Sequence, residues 1–491
     1  MMPLRESRVL DLNAEALGVP VGQLIENAGR ALAEHVRALP PSGRGVVVLA
    51  GPGNNGADGL AAAALLVRGG VRVRVLSPFP EGAWRTEGAR EAAAMLPQEV
   101  DLAHAPDEAR LDAALAEAGV VVDALLGAGL AGPLRAPYDA WVRALARHAG
   151  KVVAADVPTG FGTPTTYKPA STVTFHDIKD GMDEATCGRI HVAPVGIPEE
   201  ASTQTGPGEY TLYPRGRWDQ HKGEGGIVLI IGGGPYTGAP AVAGMAALRA
   251  GADLAIILTP ERAWEAVASY SPNLVVRPLN GADVNLDDPA NRVTLNSWLK
   301  KAKSVVLGPG LGLMAQAQKS VHHVLQRAAQ ESVPVVVDAD ALTALAERHD
   351  LLAPNVVLTP HAREFRTLTQ RELPAEPEKR AQLVHEEARK LGGAWLVKGP
   401  VDVISDGERV KMNPAGHPAM SVGGTGDALA GVVGALLAKG MTPFDAARLG
   451  ARLTGDAGAL AAGEKSWGLV ATDVVEALPA VLVRHLGRRL F

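Results

Sequence analysis

What this 491-residue chain has little of narrows its class first. A single cysteine, Cys187, excludes an intrachain disulfide framework and suits a reducing compartment. A small buried residue is a plainer role for it than a nucleophile. No apolar run approaches the roughly 20 residues that span a bilayer. Arg5, Glu6, Arg8 and Asp11 stand where a secretory leader needs an apolar stretch, so a cytoplasmic location is expected. An excess of either charge is missing too. The 48 basic and 53 acidic residues leave a net charge of -5, which supports neither a nucleic-acid nor a membrane partner. Internal repeats and low-complexity tracts are absent.

Hydrophobic residues make up 47% of the chain, enough at this length for two cores. Val46 to Leu49 reads as a strand that runs into Gly51-Pro52-Gly53-Asn54-Asn55-Gly56-Ala57-Asp58-Gly59, with a helix from Leu60 and a strand at 71–76 after it. That order is a parallel βαβ unit, which binds ligands beyond the carboxyl ends of its strands. Further strands are predicted at 120–123, 152–156, 173–175 and 190–195, and helices at 24–39, 107–118 and 138–148. A cluster of Pro207, Gly208, Pro214 and Gly216 marks a domain boundary, placed at 212/213, giving domains 1–212 and 213–491. The α/β pattern then restarts, with strands at 227–231, 254–258, 305–307, 335–337, 356–358 and 395–397. Two α/β domains follow from this, each in three layers.

The stretch that organises the second half is Gly423-Gly424-Thr425-Gly426-Asp427, at the start of a helical run. Its bare amides can close on an anion at a helix N-terminus. Asp427 is then either a helix-start residue favoured by the dipole or a general base beside a phosphate. In the first half, Gly51 to Gly59 is neither a Walker loop nor a dinucleotide fingerprint. Its two amides suit a hard monovalent cation, and its bare backbone suits a phosphate; a plain Asn-Gly turn is the other reading. Asp123-Ala-Leu-Leu-Gly127-Ala128-Gly129-Leu130-Ala131-Gly132-Pro133 and Asp156-Val-Pro158-Thr159-Gly160 end two further strands. Three such loops should meet in one crevice.

Together with Ile25-Glu26-Asn27-Ala28-Gly29-Arg30, these three loops resemble the NAD(P)H-hydrate epimerase domain, a Rossmann-like fold. The resemblance implies a potassium ion held by Asn55, Asp123 and Thr159. It also implies a substrate site lined by Asn54, Asn55, Gly56, Ala57 and Asp58, by Gly127, Ala128, Gly129, Leu130, Ala131, Gly132 and Pro133, and by Tyr138 and Asp156. Asp156 is the candidate acid/base for inverting one carbon of a hydrated nicotinamide ring. Ala57 replaces a usual glycine, Thr159 a usual serine, and Phe161 to Thr165 a usual acidic loop.

Lys222-Gly223, Tyr236 to Pro240, Asp338 to Leu342, Thr359 to Glu364 and Gly423 to Asp427 resemble, in that order, the ribokinase-like ADP/ATP-dependent NAD(P)H-hydrate dehydratase. That resemblance implies hydrate contacts from Ala239, Gly310, Gly312, His361 and Asp427. It implies nucleotide contacts from Lys398, Gly399, Pro400, Val401, Asp402, Gly423, Gly424, Thr425 and Gly426. ADP or ATP and Mg2+ are the implied cofactors, hydrated NADH and NADPH the implied small-molecule partners, and a homo-oligomer the expected assembly. The implied function is repair: epimerisation of the R and S hydrates, then nucleotide-dependent dehydration with Asp427 as base. Two alternatives remain open at this point. One is a small-molecule kinase of the same fold, and the other makes the first domain a non-catalytic nucleotide-binding module.

Overall fold

The computed structural model describes residues 2–40, 44–129, 132–216, 218–219, 221 and 223–487. Leu130, Ala131 and Lys222, all named above, lie outside the described residues. The chain forms two compact units, Met1–Ala201 and Ser202–Phe491. The sequence placed the boundary at 212/213, whereas residues 202–212 side with the second unit. There Thr205 donates its hydroxyl to Asn413 Oδ1 at 2.6 Å, and Lys411 Nζ lies 3.2 Å from the buried Glu209. Among the described residues no helix is long and apolar enough to cross a membrane.

The first unit is built on a seven-stranded sheet. Its strands are β1 (Val46–Ala50), β2 (Val73–Ser77), β3 (Asp101–His104), β4 (Val120–Ala124), β5 (Val152–Ala155), β6 (Ser171–Phe175) and β7 (Arg189–Ala193). They lie in the order β3-β2-β1-β4-β5-β6-β7, and every pairing is parallel. Valine-rich strands with both faces buried are what a covered parallel sheet requires. Val48 and Ala50 face the core shared with helices Val21–Ala38 and Asn54–Arg68. Val47 and Leu49 face the opposite core, with Leu111, Trp141 and Leu145. The strand order reverses between β1 and β4, and a crevice opens at such a switch point.

The second unit carries nine strands: β8 (Ile227–Ile231), β9 (Leu254–Pro260), β10 (Leu274–Leu279), β11 (Ser304–Leu307), β12 (Val335–Val337), β13 (Val356–Leu358), β14 (Ala394–Val397), β15 (Asp402–Ser405) and β16 (Val410–Asn413). The order is β10-β9-β8-β11-β12-β13-β14-β15-β16, parallel as far as β14 and antiparallel after it. Alternation along β8 sends Val228 and Ile230 to one core and Leu229 and Ile231 to the other. Helices Gly238–Arg249, Thr425–Ala438, Pro443–Lys465 and Ala471–Leu486 cover the first face. The sheet reverses between β8 and β11, which again aims the carboxyl ends at one crevice.

Candidate active sites

In the first unit, the loops after β1, β4 and β5 converge as the sequence predicts. Glycine makes the approach possible. A Cβ on Gly51 would sit 1.9 Å from Leu125 O, and one on Gly56 1.8 Å from Gly51 O. Such spacing admits no side chain, so the start of helix Asn54–Arg68 lies directly on the strand ends. Gly127 is less tightly enclosed: its Cβ would meet the side-chain atoms Asn55 Oδ1 and Asp156 Oδ2, each at 3.2 Å. Asn55, Gly127 and Asp156 therefore meet at one point. Asn54, Gly129, Gly132 and Pro133 are exposed at the rim, and Tyr138 is half-buried against Phe79. Ala57 is fully buried with Ile25 and Ala89, which explains why a methyl group is accepted there.

Asp123 is buried and saturated with donors. Leu125 N (3.2 Å) and Thr159 Oγ1 (2.7 Å) donate to Oδ1, and Thr159 N (2.9 Å) and Tyr167 OH (2.5 Å) to Oδ2. Burial pushes its carboxyl above the ordinary range, while the Tyr167 and Thr159 hydrogen bonds work against that rise. Asn55 is the opposite case, since its buried Nδ2 has no hydrogen-bond partner. The replaced loop at Phe161 to Thr165 is tied down by Thr163, whose hydroxyl donates to Gly160 O at 2.8 Å.

Asp156 adopts a left-handed φ of 66°, uncommon for a residue with a side chain and concentrated at functional sites. Its Oδ2 accepts from Ala128 N at 3.1 Å, and its Oδ1 lies 2.5 Å from Lys179 Nζ. Two more acids face it. Burial first, then the Asp156 and Asp11 charges, hold Asp58 well above the usual carboxylate range. Burial and the Asp156 charge push Asp11 up to about 6, against the pull of Lys179 and Arg8. Sequence reasoning missed Asp11, Tyr167 and Lys179. They come from a helix and loops distant in sequence, and no spacing rule links them to Asp156.

In the second unit, glycines again lock the loops together. A Cβ on Gly232 would reach Pro309 O at 2.2 Å, and one on Gly308 would reach Asp338 O at 1.9 Å. Gly310, at a φ of 66°, would meet Tyr236 O at 2.3 Å and Ala239 Cβ at 3.2 Å. Gly312 donates its N–H to Asp340 Oδ2 at 2.8 Å. The loops after β8, β11 and β12 thus form one floor, bringing together Ala239, Gly310 and Gly312.

The charged side of this crevice is centred on Lys398, at the end of β14. Its Nζ lies 2.8 Å from Asp338 Oδ1, 3.9 Å from Glu364 Oε2 and 3.3 Å from the Cβ position of Gly426. Thr359 Oγ1 donates to the same Asp338 oxygen at 2.7 Å. Burial works to lower the Lys398 pKa, but the charges of Asp338, Glu364 and Asp427 outweigh it and the net shift is upward. Asp427 is half-buried in the first turn of helix Thr425–Ala438. Burial, then the Asp338 charge, raise it to about 7 against the pull of Lys398, the range of a working general base. Gly424 caps the helix at a φ of 95°, and the Cβ position of Gly423 faces open space. Thr425 turns its hydroxyl back to Met420 O and Val422 O, leaving the amides to face outward.

Two assigned residues do something besides what was expected. His361 caps helix Ala362–Thr369, its Nδ1 accepting from Glu364 N at 3.1 Å while its own N donates to Glu364 Oε2 at 2.8 Å. That leaves the exposed ring at the crevice edge and holds Glu364 toward Lys398. Asp402 closes the turn after β14 by accepting from Gly399 N at 3.0 Å and from Asn413 at 2.9 Å, and burial lifts it to about 6. Pro400 is exposed and Val401 half-buried in that turn. A groove of about 680 Å³ elsewhere, lined by His385, Arg389, Arg409 and Phe444, includes none of these residues.

Residues 227–480 match the family described as NAD(P)H-hydrate dehydratase, and residues 21–181 the family described as YjeF-related protein N-terminus. The bifunctional NAD(P)H-hydrate repair enzyme Nnr of Hyperthermus butylicus is 41% identical over 96% of this chain and 90% of its own length. That of Pyrobaculum aerophilum is also 41% identical, over 98% of this chain and 97% of its own. A solved ribokinase-like superfamily protein from Enterococcus faecalis aligns with a TM-score of 0.50 at 24% identity, covering 58% of this chain and 96% of that one.

Proposed function

The chain belongs to the family of bifunctional NAD(P)H-hydrate repair enzymes, and from that premise we propose how its residues divide the work. The two activities are epimerisation of the R and S hydrates of NADH and NADPH, and ADP- or ATP-dependent dehydration of the S hydrate. Both substrates are small molecules. The lone buried Cys187 fits a cytoplasmic setting.

Dehydration is assigned to the second crevice. Asp427 takes the proton of the hydrate hydroxyl, whose oxygen attacks the terminal phosphorus as the bond to the nucleotide breaks. The Gly423 to Gly426 amides and Lys398 neutralise the charge that gathers on the phosphoryl oxygens. The carbon–oxygen bond then breaks, phosphate leaves with the electron pair, and the neighbouring carbon gives up a proton to restore the dihydronicotinamide. Ala239, Gly310, Gly312 and His361 border the hydrate, and the turn Lys398 to Asp402 borders the nucleotide. Mg2+, when bound with the nucleotide, would supply further positive charge to the phosphates, and Asp338, beside Lys398, is the carboxylate that would hold it.

Epimerisation is assigned to the first crevice, where Asp156 takes the hydroxyl proton as the bond from that carbon to the ring nitrogen opens, the nitrogen keeping the electron pair, and gives the proton back as the nitrogen closes on the carbon's other face. The orphaned amide of Asn55 fits a potassium ligand, because reversing that amide turns its oxygen to a spot with no protein partner. Asp123 and Thr159 would complete the set. When bound, the ion supplies positive charge beside the substrate loops.

The observation that carries the reading is Asp427, raised to about 7, on the glycine-lined helix mouth with the Lys398 ammonium against Gly426. Incubation with hydrated NADH, ADP and Mg2+ tests it: the dihydronicotinamide absorbance returns with inorganic phosphate released. A product that keeps the phosphate would favour the kinase reading instead.

A further inference from the structure

Lys179 lies beyond the residues assigned so far. It sits just after β6, and its side chain is 1% exposed. An ammonium has three N–H groups. Here all three have partners: Thr174 Oγ1 at 2.8 Å, Phe175 O at 2.7 Å and Asp156 Oδ1 at 2.5 Å. The backbone is held as well, because Met2 N donates to Ile178 O, Asp180 N donates to Met2 O, and Met2 and Lys179 form a parallel bridge. A side chain this fully engaged cannot swing toward a substrate. Among the described residues its one ionic partner is the proposed acid/base, which faces two other acids, Asp58 and Asp11. Of these three carboxyl groups, Asp156 is the one the buried cation bonds.

We infer that Lys179 is the positioning residue of the epimerase site, an immobilised buried cation that fixes one oxygen of Asp156 and so leaves the carboxylate aimed at the substrate. The inference rests on the acid/base role proposed for Asp156. Ala128 N holds Oδ2 and Lys179 holds Oδ1. The lysine acts through Asp156 and touches no reacting atom.

Interconversion of the R and S hydrates of NADH by the full chain, followed by chiral chromatography, tests this with four variants. Lys179→Met should lower kcat by about 10²-fold or more, with KM close to that of the parent, because the lost function is that of an acid/base. Lys179→Arg keeps a cation and should recover part of that loss. Asp156→Asn should be inactive, and Lys179→Met combined with Asp156→Asn should be no slower than Asp156→Asn alone. Thermal unfolding confirms a folded first unit in each case. Should Lys179→Met fail to fold, Lys179→Gln retains a donor for Phe175 O and carries the same comparison. If Asp156→Asn is inactive while Lys179→Met or Lys179→Gln turns over at the parent rate, the inference is overturned and the reading of Asp156 survives. If Asp156→Asn itself retains full activity, the acid/base reading falls and the inference with it.

Discussion

At the scale of single residues, the two sites solve opposite problems with the same side chain. Asp427 is pushed up to about 7 by burial and the Asp338 charge, which suits the proposed role of collecting a hydroxyl proton near neutrality. Only the deprotonated form accepts a proton. Dehydration kcat/KM should therefore rise with pH through about 7 and level off above it, and a pH–rate profile with hydrated NADH and ADP checks this. Asp123 uses its carboxylate differently, taking four donors in a dry interior. Its neighbour Asn55 has the amide that lacks a partner. Potassium chloride should accordingly raise the thermal unfolding temperature of the first unit relative to an equal concentration of a large organic cation. Asn55→Ala should remove that shift, a readout independent of turnover.

At the scale of elements, glycine decides how near the loops come to one another. Helix Thr425–Ala438 carries Asp427, and it presses on helix Gly238–Arg249 at Gly431, where a Cβ would lie 2.1 Å from Ala243 O. The obstacle is backbone and cannot rotate away. Gly431→Ala gains about 1 kcal/mol of helix propensity. It should lose about 1–3 kcal/mol through overpacking, with the short distance favouring the upper end. A lowered unfolding temperature and reduced dehydration, with epimerisation unchanged, are the expected results. Glycines of this kind are also what made the sites legible from sequence. Gly51, Gly127 and Gly310 stand in strand-end loops, and Gly56 and Gly426 in the first turns of helices Asn54–Arg68 and Thr425–Ala438; the spacing of each survives without the fold. Most strands that were read carry short unbroken apolar runs, as Ile227-Val-Leu-Ile-Ile231 and Val335-Val-Val337 do. Four were missed: β3 is Asp101-Leu-Ala-His104, β10 is interrupted by Arg277-Pro278, β15 opens on Asp402, and β16 is Val410-Lys-Met-Asn413 at an antiparallel edge. Lys179, Asp11 and Tyr167 were illegible for another reason, since their partners are chosen by the topology of β4, β5 and β6. His361 was read as a ligand contact, and its helix-capping bond becomes visible only once Glu364 has a position.

At the scale of the whole molecule, each unit has its own sheet, its own cores and its own crevice at a reversal of strand order. The chemistry should separate in the same way. Asp156→Asn should stop interconversion of the hydrates and leave dehydration of purified S hydrate at the parent rate, measured by absorbance recovery on each substrate. The clearest test of the account concerns Asp427, because both the mechanism and the assignment of the second crevice pass through it. Asp427→Asn keeps the shape of the residue and the amides around it, and removes the base. Calorimetric ADP binding together with absorbance recovery from S-hydrated NADH is the measurement. Retained ADP affinity with recovery reduced by about 10²–10⁴-fold is the predicted result. Recovery at the parent rate would contradict the account.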